Sequence, residues 1–367
     1  MLFRRQSPGS SEDQKREVLD KAYQDVMERI NRQQPGFRQL AEKVLSWITC
    51  ARRPLTTSEL QHALAVVVGD AKLDEDNLCR TERMASVCAG LVTIDEESGI
   101  IRLVHYTTQE YLKRTQDKWF PNAEAKIATI CVTYLSFDTF ESGFCRTNDD
   151  FEKRLQSNKL YDYASLYWGH HAREASNLCQ GVIKFLQKQA QVEASSQALM
   201  GDRRALDSQR FPMKMTGLHL AAYFGVDATV QLLLATVGVD ADSRDDNGWT
   251  PLSWAAANGY EGIAQMLLGQ DADADSKNDW GWTPLSLAVE NGHERVVQLL
   301  LNQGVDVNSR DDDDWTPLSR AAANGHEEVV QLLLDQRANV DSRDNRGLRD
   351  HVIWTATRTS EGYIFGG

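Results

Sequence analysis

Residues 281–301 read GWTPLSLAVENGHERVVQLLL, and this stretch decides the fold because it is repeated on both sides of itself. Related copies are GWTPLSWAAANGYEGIAQMLL from Gly248, DWTPLSRAAANGHEEVVQLLL from Asp314 and a shorter TGLHLAAYFGVDATVQLLL from Thr216. The Thr residues of the four copies, at 216, 250, 283 and 316, are 34, 33 and 33 residues apart. A fixed period of this length is typical of a repeat array.

Each unit has the chemistry of two short helices joined by a turn. Thr is a good helix cap, and Pro is tolerated at the first helical position because its missing N–H has no partner there anyway. Gly259, Gly292 and Gly325 mark the turn, where a positive φ costs glycine little. The second helices carry VVQLLL at 296–301 and 329–334, an apolar stripe that one unit cannot bury alone. Stacked neighbours bury it, so we expect a solenoid.

The period and the T-P-L…A-A…G-H pattern resemble the ankyrin repeat. This resemblance implies a protein-binding scaffold without catalysis and without a cofactor, with the segments 239–248 and 305–314 as hairpin fingers. It also implies that the residue before each Thr contacts the partner, which gives Trp249, Trp282 and Trp315. We expect these to form an exposed Trp ladder ringed by finger residues, namely Asp246, Asp279, Trp280, Asp312 and Asp313. The alternative is that each Trp packs on its neighbouring finger.

Two departures from the repeat pattern bear on the extent of the array. Asp314 stands where a finger glycine is expected. A fifth unit starts with Gly347, but Leu348–His351 replaces the expected W-T-P-L. We therefore expect about four repeats over 211–350 and a frayed tail over 351–367.

The N-terminal part predicts a disordered start over 1–13, a winged-helix domain over 14–120 and a helical spacer over 121–210. Apolar residues at helical spacing predict two helices within 14–53, and Thr56 with Glu59 forms a capping box before the next. A further helix is expected over 80–90, followed by strands over 91–95 and 100–105 around the turn EESG. Three helices closed by a β-hairpin make a winged helix.

The stretch RLVHYTTQEYL at 102–112 resembles the H-x-S/T-x-x-E-Y/F-L signature of the winged-helix module of STAND-type NTPases. The surrounding residues resemble this module in filamentous-fungal NACHT–ankyrin proteins and in GPI inositol-deacylase-like chains. In this interpretation Thr107 caps the next helix, and Glu110 returns a hydrogen bond to it. The resemblance also associates His105 with a nucleotide phosphate held by a NACHT core.

The NACHT core itself has no counterpart in the sequence. No GxxxxGK[ST] motif occurs, so the Walker A lysine is missing. We expect the C-terminal half of a NACHT–ankyrin protein, either a truncated gene product or a stand-alone regulator. A NACHT-containing chain is then a possible partner.

Charge and cysteine content restrict the function further. Residues 211–367 hold 11 basic and 24 acidic side chains, which accounts for the whole net charge of −13. This predicts a protein partner with a basic surface and argues against nucleic acid. No apolar run is long enough to span a membrane, and no secretory signal is visible. The scattered cysteines predict reduced thiols in an intracellular protein, of the cytoplasm or nucleus.

Three sharper alternatives remain at this point. His170, His171 and Glu174 suggest a metal site, although packing is the simpler interpretation. The Asp run 311–314 suggests calcium, but it lies in a finger without EF-hand spacing. A DNA-binding winged helix, with 80–89 as recognition helix and ankyrins as accessory, is the alternative function. No G-x-S-x-G is present, so no lipase chemistry is expected.

Overall fold

The computed structural model describes residues 11–175, 180–201 and 214–340. The predicted fifth unit from Gly347, the tail 351–367 and most of the expected disordered segment 1–13 lie outside the described residues. The fold is mostly helical with one small sheet, which confirms the predicted fold class. Two compact units are present, residues 11–137 with 155–175, and residues 138–154 with the described part of 178–340.

The first unit contains most of the N-terminal elements, and α8 crosses the division between the units. In chain order the elements are α1 Ser11–Asn31, α2 Pro35–Cys50, β1 Leu55–Thr56, α3 Thr57–Ala65, α4 Thr81–Val87, β2 Val92–Ile94, β3 Ile100–Leu103, α5 Tyr106–Arg114, α6 Gln116–Trp119, α7 Ala123–Leu135, α8 Asn148–Ser157 and α9 Tyr161–Glu174. Short 3₁₀ turns lie at Glu75–Asn77 and Asp138–Phe140.

The winged helix consists of α2, α3, α4 and a three-stranded antiparallel sheet in the order β1-β3-β2. The predicted capping box is present, since the Thr56 N–H donates to Glu59 Oε2 at 2.8 Å and the Glu59 N–H donates to Thr56 Oγ1 at 3.2 Å. The strand β1 was not predicted because two residues carry no period. It pairs Leu55 with Ile101 and joins the helical part to the wing.

A buried polar cluster ties α7 to α9 and to the end of α2. His171 is fully buried; its Nδ1–H donates to Glu124 Oε2 at 2.5 Å, and its Nε2 accepts from the Tyr163 hydroxyl at 2.9 Å. Tyr163 in turn accepts the N–H of Arg52, whose guanidinium lies 2.6 Å from Glu174. Both ring nitrogens of His171 are therefore used within the fold, which favours packing over a metal site. Among the described residues, no group of His, Cys, Asp and Glu has a metal-binding arrangement.

The five cysteines that the structure describes are free thiols, and four of them are buried. Burial raises the pKa of Cys50 and of Cys88 to about 12, which keeps both thiols protonated and unreactive. Cys179 lies outside the described residues.

The second unit is a stack of helix pairs. Its elements are α10 Gln180–Leu186 with α11 Gln189–Met200, α12 Gly217–Phe224 with α13 Asp227–Leu234, α14 Pro251–Ala257 with α15 Glu261–Leu268, α16 Pro284–Glu290 with α17 Glu294–Asn302, and α18 Pro317–Ala323 with α19 Glu327–Asp335. The last four pairs are the four predicted repeats. The α10–α11 pair, which the sequence analysis placed in the spacer, packs against α12 and α13 as one more layer.

The predicted caps and turns of the repeats are confirmed. In each repeat a Thr caps the first helix, because its side chain accepts the N–H of the residue three positions further along the chain. These residues are Thr216, Thr250, Thr283 and Thr316. The turn glycines Gly259, Gly292 and Gly325 have φ between 69° and 74°. Asp314 replaces a finger glycine and adopts the same left-handed conformation, at φ 64°.

The turn glycines also make room for the next repeat. The His293 ring lies against Gly259, and its Nε2–H donates to the Ala257 carbonyl at 3.0 Å. His326 repeats the arrangement at Gly292 and donates to the Glu290 carbonyl at 3.1 Å. Each His thus satisfies a free carbonyl at the end of the first helix of the preceding repeat.

The first repeat is predicted to be acid-sensitive through His219. Burial lowers the pKa of His219 to about 4, and its Nδ1 accepts the Thr216 N–H, so protonation is unfavourable in the folded state. A lowered pKa means that stability is complete above about pH 6.5 and is lost as the pH falls toward 4. Between pH 7 and pH 5 the wild type should lose about 2 kcal/mol more than H219S, which carries the Ser of the other three repeats, measured by urea unfolding. Equal losses would contradict this.

Two glycine variants separate backbone strain from crowding. Gly304 and Gly292 both have a positive φ, but a Cβ at Gly304 meets nothing within 4 Å, whereas one at Gly292 would lie 2.7 Å from His326 Nδ1. We expect G304A to lower the free energy of unfolding by about 1 kcal/mol and G292A by roughly 3 kcal/mol, because His326 must also give up its hydrogen bond. Urea unfolding followed by circular dichroism measures both, and similar costs would show that His326 is not a packing constraint.

Candidate protein-interaction surface on the fingers

One side chain in each of three fingers holds the finger turn. Asp245, Asn278 and Asp311 are 33 residues apart and buried, and their Oδ1 atoms accept two backbone N–H groups each, at 2.9–3.0 Å. The second of these N–H groups always belongs to the Trp that precedes the capping Thr. We call this arrangement the finger clamp. The finger clamp was not predicted, although an Asp or Asn four residues before each Trp is its signal in the sequence.

The expected exposed Trp ladder is less exposed than predicted. Trp249, Trp282 and Trp315 are each only half-buried rather than exposed, and each packs within the array. The Trp249 ring lies 4.3 Å from that of Trp254, centre to centre. The Arg320 guanidinium lies 3.6 Å from the ring centre of Trp282 and 5.8 Å from that of Trp315. The physical reason is that side chains which vary between repeats cover these rings. Trp254 lies five positions after Trp249, and Arg320 lies five positions after Trp315 and in the repeat that follows Trp282.

The second polar atom of each clamp side chain, Oδ2 of Asp or Nδ2 of Asn, has a different neighbour in each finger. Trp254 Nε1–H donates to Asp245 Oδ2 at 3.3 Å, and burial raises the pKa of the Asp245 carboxyl. Arg320 donates to Asp311 Oδ2 and, at 3.1 Å, to Glu290. Leu287 occupies the position that corresponds to Trp254 and Arg320.

The middle clamp has a neutral Asn in place of Asp, and the side chain at the corresponding helix position is the apolar Leu287. Leu287 offers no donor, and the Asn278 Nδ2 atom is buried without a hydrogen-bond partner. A carboxylate is therefore found only where the following helix supplies a donor, and a neutral amide where it supplies a leucine. This pairing avoids an uncompensated buried charge.

The exposed part of the fingers is acidic and carries one tryptophan. Asp279, Trp280, Asp312 and Asp313 are exposed, with half of the Trp280 surface open to solvent. We call these residues, together with Asp246, the acidic finger edge. Adjacent fingers are joined through the backbone, since the Asp279 N–H donates to the Asn247 carbonyl and the Asp312 N–H to the Trp280 carbonyl.

Within the acidic finger edge, one carboxylate is already paired. Asp246 is half-buried and lies 2.7 Å from the ammonium group of Lys214. In the described part of the chain, no ion pair involves Asp279, Asp312 or Asp313. Lys214 was not among the predicted site residues, and its contact shows that a finger carboxylate accepts a cation in this geometry.

The winged-helix corner differs from its prediction at the cap. Helix α5 begins at Tyr106 and is capped by His105, whose Nδ1 accepts the Thr107 N–H at 3.2 Å. Thr107 is inside the helix, where its hydroxyl contacts His105 Nδ1 at 2.7 Å and the Tyr23 hydroxyl at 2.6 Å. Glu110 is exposed, and no hydrogen bond from it to Thr107 is present. An imidazole nitrogen two residues before Thr107 reaches the free N–H first, so the predicted Thr107–Glu110 cap is wrong.

The segment expected as a DNA recognition helix is short. Helix α4 covers Thr81–Val87, and Arg80 only precedes it. The Arg83 guanidinium lies 5.3 Å from the centre of the Phe37 ring, and Glu82 is the neighbouring charge. No cluster of cations is formed by this helix itself.

Comparison with known families agrees with both halves of this description. The model described as "Ankyrin repeats (3 copies)" matches residues 175–278 and 262–344, and "GPI inositol-deacylase, winged helix domain" matches residues 27–118. The chain carries ankyrin repeats and a winged-helix domain. The first match includes α10 and α11, in agreement with their packing. No helix among the described residues is long and apolar enough to cross a membrane.

Curated relatives are similar over short segments only. The chain is 45% identical over 53 residues to the ARF GTPase-activating protein Git of Drosophila melanogaster, and 33% identical over 85 residues to Protein phosphatase 1 regulatory subunit 27 of Mus musculus. These segments are 14% and 23% of this chain, and they span 7% and 54% of the two relatives. Ankyrin repeats of this kind indicate protein–protein interaction.

The clamp pairing predicts a specific double-mutant result. R320L should lower the free energy of unfolding by about 3 kcal/mol, because it leaves the buried Asp311 carboxylate without its cation. D311N/R320L reproduces the Asn278–Leu287 pair and should recover at least half of that loss, which gives a coupling of at least about 1.5 kcal/mol in the cycle. Urea unfolding of the four proteins measures it, and additive losses would mean that the two positions do not act as a pair.

Proposed function

We propose that this protein is a non-catalytic interaction module that binds a protein partner with a basic surface through the acidic finger edge. The single observation that carries the proposal is Trp280, a half-exposed indole between the acidic side chains of two backbone-linked fingers. An aromatic anchor beside carboxylates suits a partner that presents Arg or Lys, because arginine both pairs with carboxylates and stacks on indole.

Three features support the choice of this surface over the Trp ladder alone. The finger clamps hold the edge rigid, so little conformational entropy is lost when it binds. Lys214 on Asp246 is an intramolecular example of the proposed contact. Trp249, Trp282 and Trp315 present only part of their surface, so we assign them a supporting contact beside Trp280.

We further propose that the module works as the ligand-sensing part of a STAND-type signalling system, inside the cell, with a NACHT-containing chain as a second partner. His105 is exposed, and its Nδ1 is occupied as an acceptor, so the neutral ring carries its proton on Nε2. An exposed Nε2–H donor is what a phosphate contact of the kind associated with this motif requires. Mixing the chain with a NACHT protein with and without ATP, and with H105A as control, tests this role by co-sedimentation.

The DNA-binding alternative stays a prediction without a supporting observation of its own. Affinity for DNA depends on clustered cations, and α4 presents Arg83 over an aromatic ring next to Glu82. A steep decrease of DNA retention with salt would favour it.

The acidic finger edge is tested by variants that leave the clamps intact. D279N/D312N/D313N and W280A should each lower partner affinity at least about 10-fold, since the first removes charge attraction and the second an anchor side chain. Partners are captured from cell extract at low salt on the immobilised full chain and quantified by mass spectrometry, then titrated individually.

A matched control keeps the test specific. E294Q/E327Q/E328Q removes three exposed carboxylates from the second helices of the repeats and should leave the same partners bound. Urea unfolding verifies that all variants are as stable as the wild type. If the finger variants retain the same proteins with the same affinity, the proposed surface is wrong.

A further inference from the structure

The apolar run ALAVVV at 63–68 ends in an open groove of the first unit. Val67 and Val68 follow the end of α3 and are 47% and 62% exposed, which is unusual for two adjacent valines. The groove has a volume of about 320 Å³ and lies between α2, the end of α3 and α7. This volume is at the lower end of the roughly 300–1,000 Å³ range of small-molecule sites.

The walls of the groove are mostly apolar, and their hydroxyl groups already have hydrogen-bond partners. The apolar side chains of the lining include Trp47, Leu64, Val68 and Ile130. The two hydroxyls of the lining donate to carbonyls of their own helices, Ser46 to Lys43 at 2.9 Å and Thr129 to Ala125 at 2.7 Å. The walls therefore offer an occupant little besides apolar contact.

The charge at the groove has one sign. Lys43 of α2 and Lys126 of α7 are exposed and belong to the lining, and none of the lining residues is acidic. Neither lysine forms an ion pair with an acidic side chain in the part of the chain that the structure describes. Two ammonium groups on opposite helices beside an apolar groove complement an apolar molecule with an anionic end.

We propose that this groove binds a small anionic amphiphile, an alkyl chain with a carboxylate that pairs with Lys43 and Lys126. A volume of about 320 Å³ suits one small molecule, whereas a stable protein partner needs a surface that buries at least about 1,000 Å² in total. The alkyl chain covers Val68, Leu64 and Ile130, and the carboxylate stays at the solvent-exposed mouth of the groove, where it pairs with the two lysines. This site is independent of the acidic finger edge and of its partner.

The probe is dodecanoate, compared with neutral 1-dodecanol, below the concentration at which either aggregates. Calorimetric titration of the full chain should show saturable binding of one dodecanoate. K43Q/K126Q should weaken it about 3- to 10-fold and leave dodecanol binding unchanged, since exposed ion pairs contribute modestly. L64E places a carboxylate among the apolar walls and should abolish binding of both molecules.

Controls make every result decisive. K21Q/K72Q removes two exposed lysines away from the lining and should bind dodecanoate like the wild type. Absence of saturable binding, equal weakening by K21Q/K72Q, or a K43Q/K126Q variant that binds dodecanoate as tightly as the wild type would overturn the proposal. A concentration-dependent dimer in sedimentation that the L64E substitution dissociates would also overturn the proposal, because a second copy of the chain would then be the occupant.

Discussion

The second unit depends on one constraint, which is that no single helix pair can bury its own apolar stripe. The stripes of α15, α17 and α19 become core only when the neighbouring pairs stack on them. Stacking fixes a 33-residue register, and the register places His293 and His326 over the turn glycines of the preceding repeats. Finger side chains at equal positions then lie in rows along the array, so a surface is produced by the same contacts that produce the core.

This origin explains which finger residues are structural and which are available for binding. The clamp side chains are buried because they accept the backbone N–H groups of the finger turn. The neighbouring Trp residues are half-buried beside them. The clamp residues are Asp245, Asn278 and Asp311. Trp280 stands where the other fingers have Asn247 and Asp313, and the Asn278 clamp binds its backbone N–H but not its indole. A residue that breaks the repeat pattern without a structural reason is the better candidate for a specific contact, and this shifts the proposed anchor from the Trp ladder to Trp280.

Much of this architecture follows from the sequence because it depends on local chemistry. The four Thr caps, the positive φ at the turn glycines and at Asp314, and the Thr56–Glu59 capping box all involve residues at most a few positions apart. The expectations that failed depend on which of several available groups makes a contact. Trp254 and Arg320 set the half-burial of the Trp ladder. At the start of α5, His105 and Thr107 both carry acceptors, and only the backbone conformation decides that His105 is the cap. The role of α10 and α11 depends on packing against α12, which no local pattern reveals.

The central claim is that the partner engages a rigid finger edge in register with the repeats. Amide hydrogen exchange of the full chain, with and without a captured partner, tests this most directly. The account predicts new protection that recurs at a 33-residue interval, in peptides covering Asp246–Trp249, Asp279–Trp282 and Asp312–Trp315, and is strongest at the second and third. Protection confined to the second helices of the repeats, or to the winged-helix unit alone, would contradict it.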